Sequence, residues 1–171
     1  MRSVRSRRGV ACLVLLLTIS LVCSLAGCGR KGRPKPPEAT APTPVTNLSA
    51  EPGVGSISLT WLAPTTNASG DSLDNLERFI VLRSTVVKGQ RPRPEEIGVV
   101  VVNRGDAGAA TQKGSYSFKD PVVKVGQRYE YVVVPVNDSG VEGVADRGLR
   151  ISFAGESSIV DSFDPRVKEQ R

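Results

Sequence analysis

Apolar and hydroxyl residues alternate along SISLTW, residues 56–61, and this period of two constrains the fold more than any other feature. Ile57, Leu59 and Trp61 share one face of the strand that such a pattern predicts, while serine and threonine occupy the other face. No stretch beyond residue 27 has a helical period. Further short strands are predicted at 45–50, 79–82, 97–102, 116–118, 129–136 and 149–153. We therefore predict an all-β antiparallel sandwich of about seven strands.

Four segments resemble parts of a fibronectin type III domain, in the same order and at similar spacing. PVTNLSA (44–50) and ISLTWLAP (57–64) resemble the first two strands of that family. VKVGQRYEYVV (123–133) and VNDSG (136–140) are similar to its penultimate strand and the turn that follows. The resemblance covers residues 44–154 and implies an immunoglobulin-like antiparallel sandwich.

Trp61 and Tyr129 are the predicted structural core residues. Trp61 is the sole tryptophan and lies on the inward face of its strand, where it would supply the large buried area that a sandwich without a disulfide needs. Tyr129 occupies the position where the resemblance places a tyrosine corner, with its ring packed inward and its hydroxyl bonded to nearby backbone. Both are predicted to stabilise the fold rather than to bind a ligand.

The first 27 residues have the three parts of an export signal: a basic start with four arginines, an uncharged run and small residues before Cys28. The sequence LAGC (25–28) resembles the lipobox of bacterial lipoproteins, where cleavage precedes the cysteine and its thiol receives a diacylglyceryl group. The resemblance implies a lipid on Cys28, with further acyl chains such as palmitate. The uncharged run is also near the minimum length of a membrane span, so an uncleaved signal anchor stays open as an alternative.

Removal of that segment changes the interpretation of the composition. The four arginines leave with it, so the net charge falls from +6 to +2, and four more basic residues follow directly after Cys28. The basic pI is therefore no argument for nucleic-acid binding, and no nucleic-acid partner is predicted. Cys28 would be the sole remaining cysteine, which excludes an intramolecular disulfide. The chain has no histidine, and no catalytic residue, metal site or cofactor is predicted.

Four parts are predicted along the chain. Residues 1–27 form the signal peptide, and residues 28–43 form the lipidated cysteine and a basic tether rich in proline, which favours an extended backbone. Residues 44–154 form the sandwich. Residues 155–171 form a polar C-terminal tail.

Three motifs have structural interpretations that we favour over functional ones. Asp71, Asp74 and Glu77 carry oxygen ligands of the kind calcium prefers, but their spacing fits no EF-hand loop, which favours a solvated acidic loop. Arg104-Gly105-Asp106 matches the integrin motif of some fibronectin modules, but glycine and aspartate are also common in turns. RPRP (91–94) is predicted to keep a loop or sheet edge extended and closed to strand addition.

The sequence CGRKG (28–32) resembles the Cys-Gly-x-Lys-Gly start of small lipoproteins of Gram-negative envelopes. Gly29 after the cysteine, with no aspartate there, implies placement in the outer membrane. We expect a lipid-anchored cell-envelope protein whose sandwich is a non-catalytic binding or scaffolding module, with an envelope protein or polysaccharide of unknown identity as partner. Two alternatives stay open: an assembly factor that acts through the tether motif, and an envelope enzyme or accessory active on polysaccharide.

Overall fold

The computed structural model describes residues 36–88, 90, 93–102 and 114–167, all within the compact unit Lys35–Arg171. These residues form a short 3₁₀ turn at Pro37–Thr40 and eight β-strands. The strands are β1 (Thr46–Gly53), β2 (Ser56–Leu62), β3 (Leu76–Val86), β4 (Glu95–Val101), β5 (Ser115–Asp120), β6 (Arg128–Asn137), β7 (Gly148–Ser152) and β8 (Ile159–Phe163).

The strands form two sheets in which every neighbouring pair is antiparallel. One sheet has the order β1-β2-β5, and the other has the order β4-β3-β6-β7-β8. The apolar inner faces of the two sheets share a single buried cluster. The predicted fold class, an all-β immunoglobulin-like antiparallel sandwich, is confirmed, and each of the seven predicted segments overlaps an observed strand.

The alternation at residues 56–61 produces the inner face of β2. Ile57, Leu59 and Trp61 are buried there, while Thr60 is exposed on the outer face. On the opposing sheet, Phe79 of β3 and Val133 of β6 are also buried. Complete burial of one such side chain contributes about 1.5–3 kcal/mol. The packing of these facing rows of apolar side chains is therefore the main interaction that holds the two sheets together.

Residues 36–43, which the sequence analysis included in the extended tether, pack on the sandwich. Ala68 N donates to Ala41 O at 2.8 Å, and Thr43 N donates to Thr66 O at 3.0 Å. The side-chain amide of Asn137, at the end of β6, donates to Thr40 O at 3.1 Å. These hydrogen bonds satisfy backbone groups of the entering chain, which explains why its last residues follow the domain surface.

The segment predicted as a polar tail contains β8. All five residues of β8 pair with β7, from Ile159 opposite Ser152 to Phe163 opposite Gly148. Gly155, with a φ of 69°, allows the connecting turn, and Ser158 Oγ accepts a hydrogen bond from Ala154 N at 2.9 Å within it. Backbone pairing can thus extend the sheet although the segment as a whole is polar.

Candidate binding surfaces

Trp61 lies at the centre of the core, where the sequence analysis placed it. Its ring meets Phe79 of the opposing sheet edge to face, with centroids 5.4 Å apart and an interplanar angle of 72°. Phe79 in turn contacts Tyr116 of β5 at 4.8 Å. Trp61 is thus surrounded by side chains of the fold, and its role in the structure is packing.

Tyr129 has the geometry that the resemblance implied. Its ring is buried, and its hydroxyl accepts a hydrogen bond from Lys124 N at 2.9 Å. The guanidinium of Arg83 lies 5.5 Å from the centre of the ring, on its face. The hydroxyl therefore ties the connection between β5 and β6 to the start of β6.

Arg83, Asp120 and Tyr131 form a polar cluster that sequence reasoning missed. Arg83 and Tyr131 are directly paired on the inner face of the five-stranded sheet, and Asp120 ends β5 in the other sheet. Asp120 Oδ2 accepts from Arg83 Nη1 at 2.9 Å and from Tyr131 Oη at 2.8 Å. The sequence contained one signal for this cluster: Arg83 and Asp120 are charged residues at inward positions of two different strands.

The surroundings of this cluster determine its electrostatics. The side chains of Arg83 and Asp120 are only 14% and 3% exposed. Burial raises the pKa of Tyr131 well above its usual range, and the hydrogen bond to Asp120 and its negative charge add to that rise. Burial opposes the charge of Arg83, but the hydrogen bond and the charge of Asp120 give a net rise in its pKa. The cluster thus consists of the neutral Tyr131 phenol and the Arg83–Asp120 ion pair, and this ion pair connects the two sheets.

The three acidic residues considered for calcium have separate surroundings. Asp71 accepts a hydrogen bond from Ser69 Oγ at 2.7 Å in a turn that Asn67 also stabilises. Glu77 forms an ion pair with its neighbour Arg78, and Asp74 is exposed. Within the described ranges, no group of acidic or cysteine side chains converges in a way that could hold a metal ion.

Several predicted features fall outside the described residues. They are the signal peptide, Cys28 with the first half of the tether (28–35), Arg104-Gly105-Asp106 and the first half of RPRP (91–94). The second half of RPRP, Arg93 and Pro94, is exposed directly before β4. Among the residues that the structure describes, no helix is long and apolar enough to cross a bilayer.

The free edge of β8 is the first candidate binding surface. One side of β8 pairs with β7, and among the residues that the structure describes no strand pairs with its other side. Ile159 is 64% exposed and Val160 is 37% exposed. Neither proline nor lysine, which commonly protect an edge strand, occurs in β8. An extended segment of another chain could therefore pair with it.

An open groove of about 540 Å³ lies beside this edge, between the start of β1 and the end of β8. Its lining includes Thr46, Asn47, Arg147, Ser162 and Asp164. Asn47 has a φ of 54°, a left-handed conformation that asparagine tolerates better than most residues, at a point where the pairing of β1 with β2 is irregular. The groove therefore lies where the pairing of β1 with β2 departs from regular register.

Comparison with known proteins adds one structural likeness. No protein-family model matches the sequence, and no curated protein matches it. Among solved structures, the chain is similar to the third fibronectin type III domain of the human KIAA0343 protein, determined in solution. The sequence identity is 15% and the TM-score is 0.46, over 75% of this chain and 96% of that one. The fold class stated above depends on the strand order and pairing of the chain itself.

Proposed function

We propose that this chain is a lipid-anchored protein of a Gram-negative cell envelope whose sandwich is a non-catalytic module for binding or scaffolding. The observation that supports the binding role is the free edge of β8, with its exposed Ile159 and Val160 beside a groove. The sequences LAGC (25–28) and CGRKG (28–32) support the lipid on Cys28 and the outer-membrane location.

The proposed mode of binding is strand addition. An extended segment of an envelope protein pairs with β8 as the sixth strand of the five-stranded sheet, and its backbone hydrogen bonds supply affinity. Its alternate side chains cover Ile159 and Phe163 on the outer face of the sheet. A basic residue opposite Asp161 stabilises the pair by about 0.2–1 kcal/mol, as opposite charges on facing strand positions do.

Site-specific photo-crosslinking in living cells tests this mode. A photoreactive residue is placed at Ser162, which is exposed on β8, and in a matched variant at Ser117, which is exposed on β5 at an edge of the other sheet. We expect a protein adduct from Ser162 and none from Ser117. The adduct should disappear when Ile159→Lys and Val160→Lys are added, because charged side chains block the edge without altering buried positions.

Two results would count against strand addition at β8. Equal adducts from Ser162 and Ser117 would indicate non-specific encounter. An adduct that persists in the double lysine variant would place the contact elsewhere on the domain.

The tether sequence CGRKG (28–32) favours a second candidate, an envelope assembly factor that acts through the tether. Deletion of residues 45–171 distinguishes the two candidates. The assembly activity would survive the deletion, whereas a binding or scaffolding activity of the sandwich would be lost. The readout is the growth and envelope integrity of cells that carry only the shortened chain.

A further inference from the structure

The two outer faces of the sandwich differ in composition. The outer face of the three-stranded sheet is polar, and its residues include Ser49, Glu51, Ser58, Thr60, Ser117 and Lys119. The outer face of the five-stranded sheet has an apolar centre, formed by Ile80, Leu82, Val99, Val132, Val134 and Phe163. We call this second surface the outer apolar face. The sandwich therefore has one polar outer face, on the three-stranded sheet, and one outer face with an apolar centre, on the five-stranded sheet.

Strand register makes the outer apolar face continuous. Val99, Ile80 and Val134 lie directly opposite one another across β4, β3 and β6. Val99 is 43% exposed, and Val101, two residues further along β4, is 60% exposed. The sequences FIVL (79–82) and VVVPV (132–136) are unbroken apolar runs, which are typical of strands covered on both faces. These strands have the composition of a sheet that is covered on its outer side.

The next row extends the outer apolar face to β8. Leu82 lies opposite Val132, which lies opposite Gly148, which lies opposite Phe163. The Phe163 ring lies so close over Gly148 that a Cβ there would be 2.6 Å from it. The guanidinium of Arg150 lies 5.2 Å from the ring centre. The Phe163 ring therefore lies along the sheet and covers Gly148, which has no side chain of its own in this row.

The charges around the outer apolar face nearly balance. Register places three basic and four acidic side chains on the same side of the sheet: Arg78, Arg128, Arg150, Glu96, Glu130, Glu142 and Asp161. Arg150 Nη2 and Glu130 Oε1 form an ion pair at 2.7 Å. A face with little net charge can stack on a copy of itself with little repulsion between like charges. An anionic membrane or a strongly basic partner would instead favour a face of one sign.

The size of the face suits a dimer. Five strands at a spacing of about 4.8 Å give a width of about 24 Å, and their mean length is about 25 Å at about 3.3 Å per residue. Each copy thus offers about 600 Å², and two copies would bury about 1,200 Å², which is the lower end of the range for stable protein interfaces.

We propose that two copies of this chain associate through the outer apolar face, with their five-stranded sheets stacked about 10 Å apart around a two-fold axis. The occupant of the face is a second copy because the face carries little net charge and has sufficient area. The inference does not depend on the lipid anchor or on strand addition at β8. A dimer of this kind leaves both β8 edges open.

Thiol crosslinking of the full chain in living cells tests the dimer. Val134→Cys places a thiol on the outer side of β6, and Ser58→Cys places one on the outer side of β2, the central strand of the other sheet. Both positions are half-buried, so they form a matched pair. A bismaleimide that spans about 10 Å should link Val134→Cys into a product of twice the chain mass and leave Ser58→Cys unlinked. The native chain measures the background from its own cysteines.

A charge on the outer apolar face should separate the copies. We expect Val99→Asp to abolish the product when added to Val134→Cys, and Ser117→Asp to leave it unchanged. Thermal unfolding of each variant checks the fold, and Val101→Asp, at a more exposed position, replaces Val99→Asp if that variant unfolds. The proposal is overturned by equal linking at positions 134 and 58, by no linking at 134, or by a product that contains a different protein.

Discussion

At the scale of single residues, the carboxylate of Asp120 connects the two sheets. It accepts hydrogen bonds from Arg83 and Tyr131 of the five-stranded sheet and from Val122 N at 2.9 Å beyond its own strand. Arg83 and Tyr131 are paired within the five-stranded sheet, and they contact Asp120 only when the other sheet packs against it. The cluster therefore forms only when the sandwich closes, and its loss affects the whole fold.

Substitution of Asp120 should be strongly destabilising. Asp120→Ala leaves the charge of Arg83 without its partner in a largely buried position, and removal of one member of a buried ion pair costs about 3–5 kcal/mol. The free energy of unfolding in urea measures the loss. Lys119→Ala, one residue earlier and exposed, is the control. Similar losses in the two variants would show that the carboxylate does not hold the sheets together.

Tyr131 should make the protein less stable at high pH. Burial and Asp120 raise its pKa above the ordinary value near 10, so the folded chain keeps the phenol proton after the unfolded chain has lost it. The unfolding free energy then falls as pH rises above about 10, by at most about 1.4 kcal/mol per pH unit for this proton. Tyr131→Phe should reduce that slope in urea unfolding between about pH 9 and pH 11. If Tyr131→Phe leaves the slope of unfolding free energy against pH unchanged, groups other than Tyr131 cause that slope.

At the scale of elements, β8 differs most from the sequence-based expectation. Three of its five residues are apolar, and the segment around them is polar. A short edge strand of this kind has a composition similar to that of a polar tail, so composition alone does not distinguish the two. Pairing with β7 and the contact of Phe163 with Gly148 stabilise it. Neither contact is visible in the pattern of the segment itself.

A methyl group at position 148 should loosen β8. Gly148→Ala places a Cβ 2.6 Å from the Phe163 ring and 3.0 Å from Tyr131 O, so the ring must move. Hydrogen exchange of the β8 amides, followed by mass spectrometry, should become faster. Gly53→Ala is the control, because its Cβ would meet no atom closer than 3.7 Å. Unchanged protection of β8 would show that Phe163 does not hold the strand.

At the scale of the whole molecule, the chain combines a sandwich with an expected lipid anchor before it. The proposed anchor would restrict the sandwich to a thin layer beside the membrane, which would raise the effective concentration of every partner held in the same layer. Weak contacts, such as the proposed strand addition at one edge or the proposed stacking of two outer apolar faces, would then be strengthened.

The anchor itself makes a separate prediction. Cys28→Ser should move the protein from the membrane pellet to the soluble fraction and remove the acyl mass from its N-terminal peptide. Cys23→Ser is the matched control, because that cysteine lies in the segment expected to be cleaved. A native chain that keeps residues 1–27 and carries no acyl mass on Cys28 would instead support a signal anchor.

Local patterns were sufficient to predict the fold class and the seven strands from β1 to β7. Alternation along 56–61 requires one buried face, and Trp61 on that face requires an opposing sheet, so both follow from residues close together in the chain. The tyrosine corner at Tyr129 involves residues only five apart, and the resemblance to a known family was enough to suggest it.

Only the tertiary structure showed the features that depend on distant residues. Arg83 and Asp120 are 37 positions apart, and their contact requires two different sheets to meet. The outer apolar face exists because register aligns β4, β3, β6, β7 and β8, and β8 joins the sheet because β7 offers it an edge. A strand's own sequence indicates which of its faces are apolar, because side-chain direction is local. Which surfaces those faces form together depends on strand order and register, which long-range pairing determines.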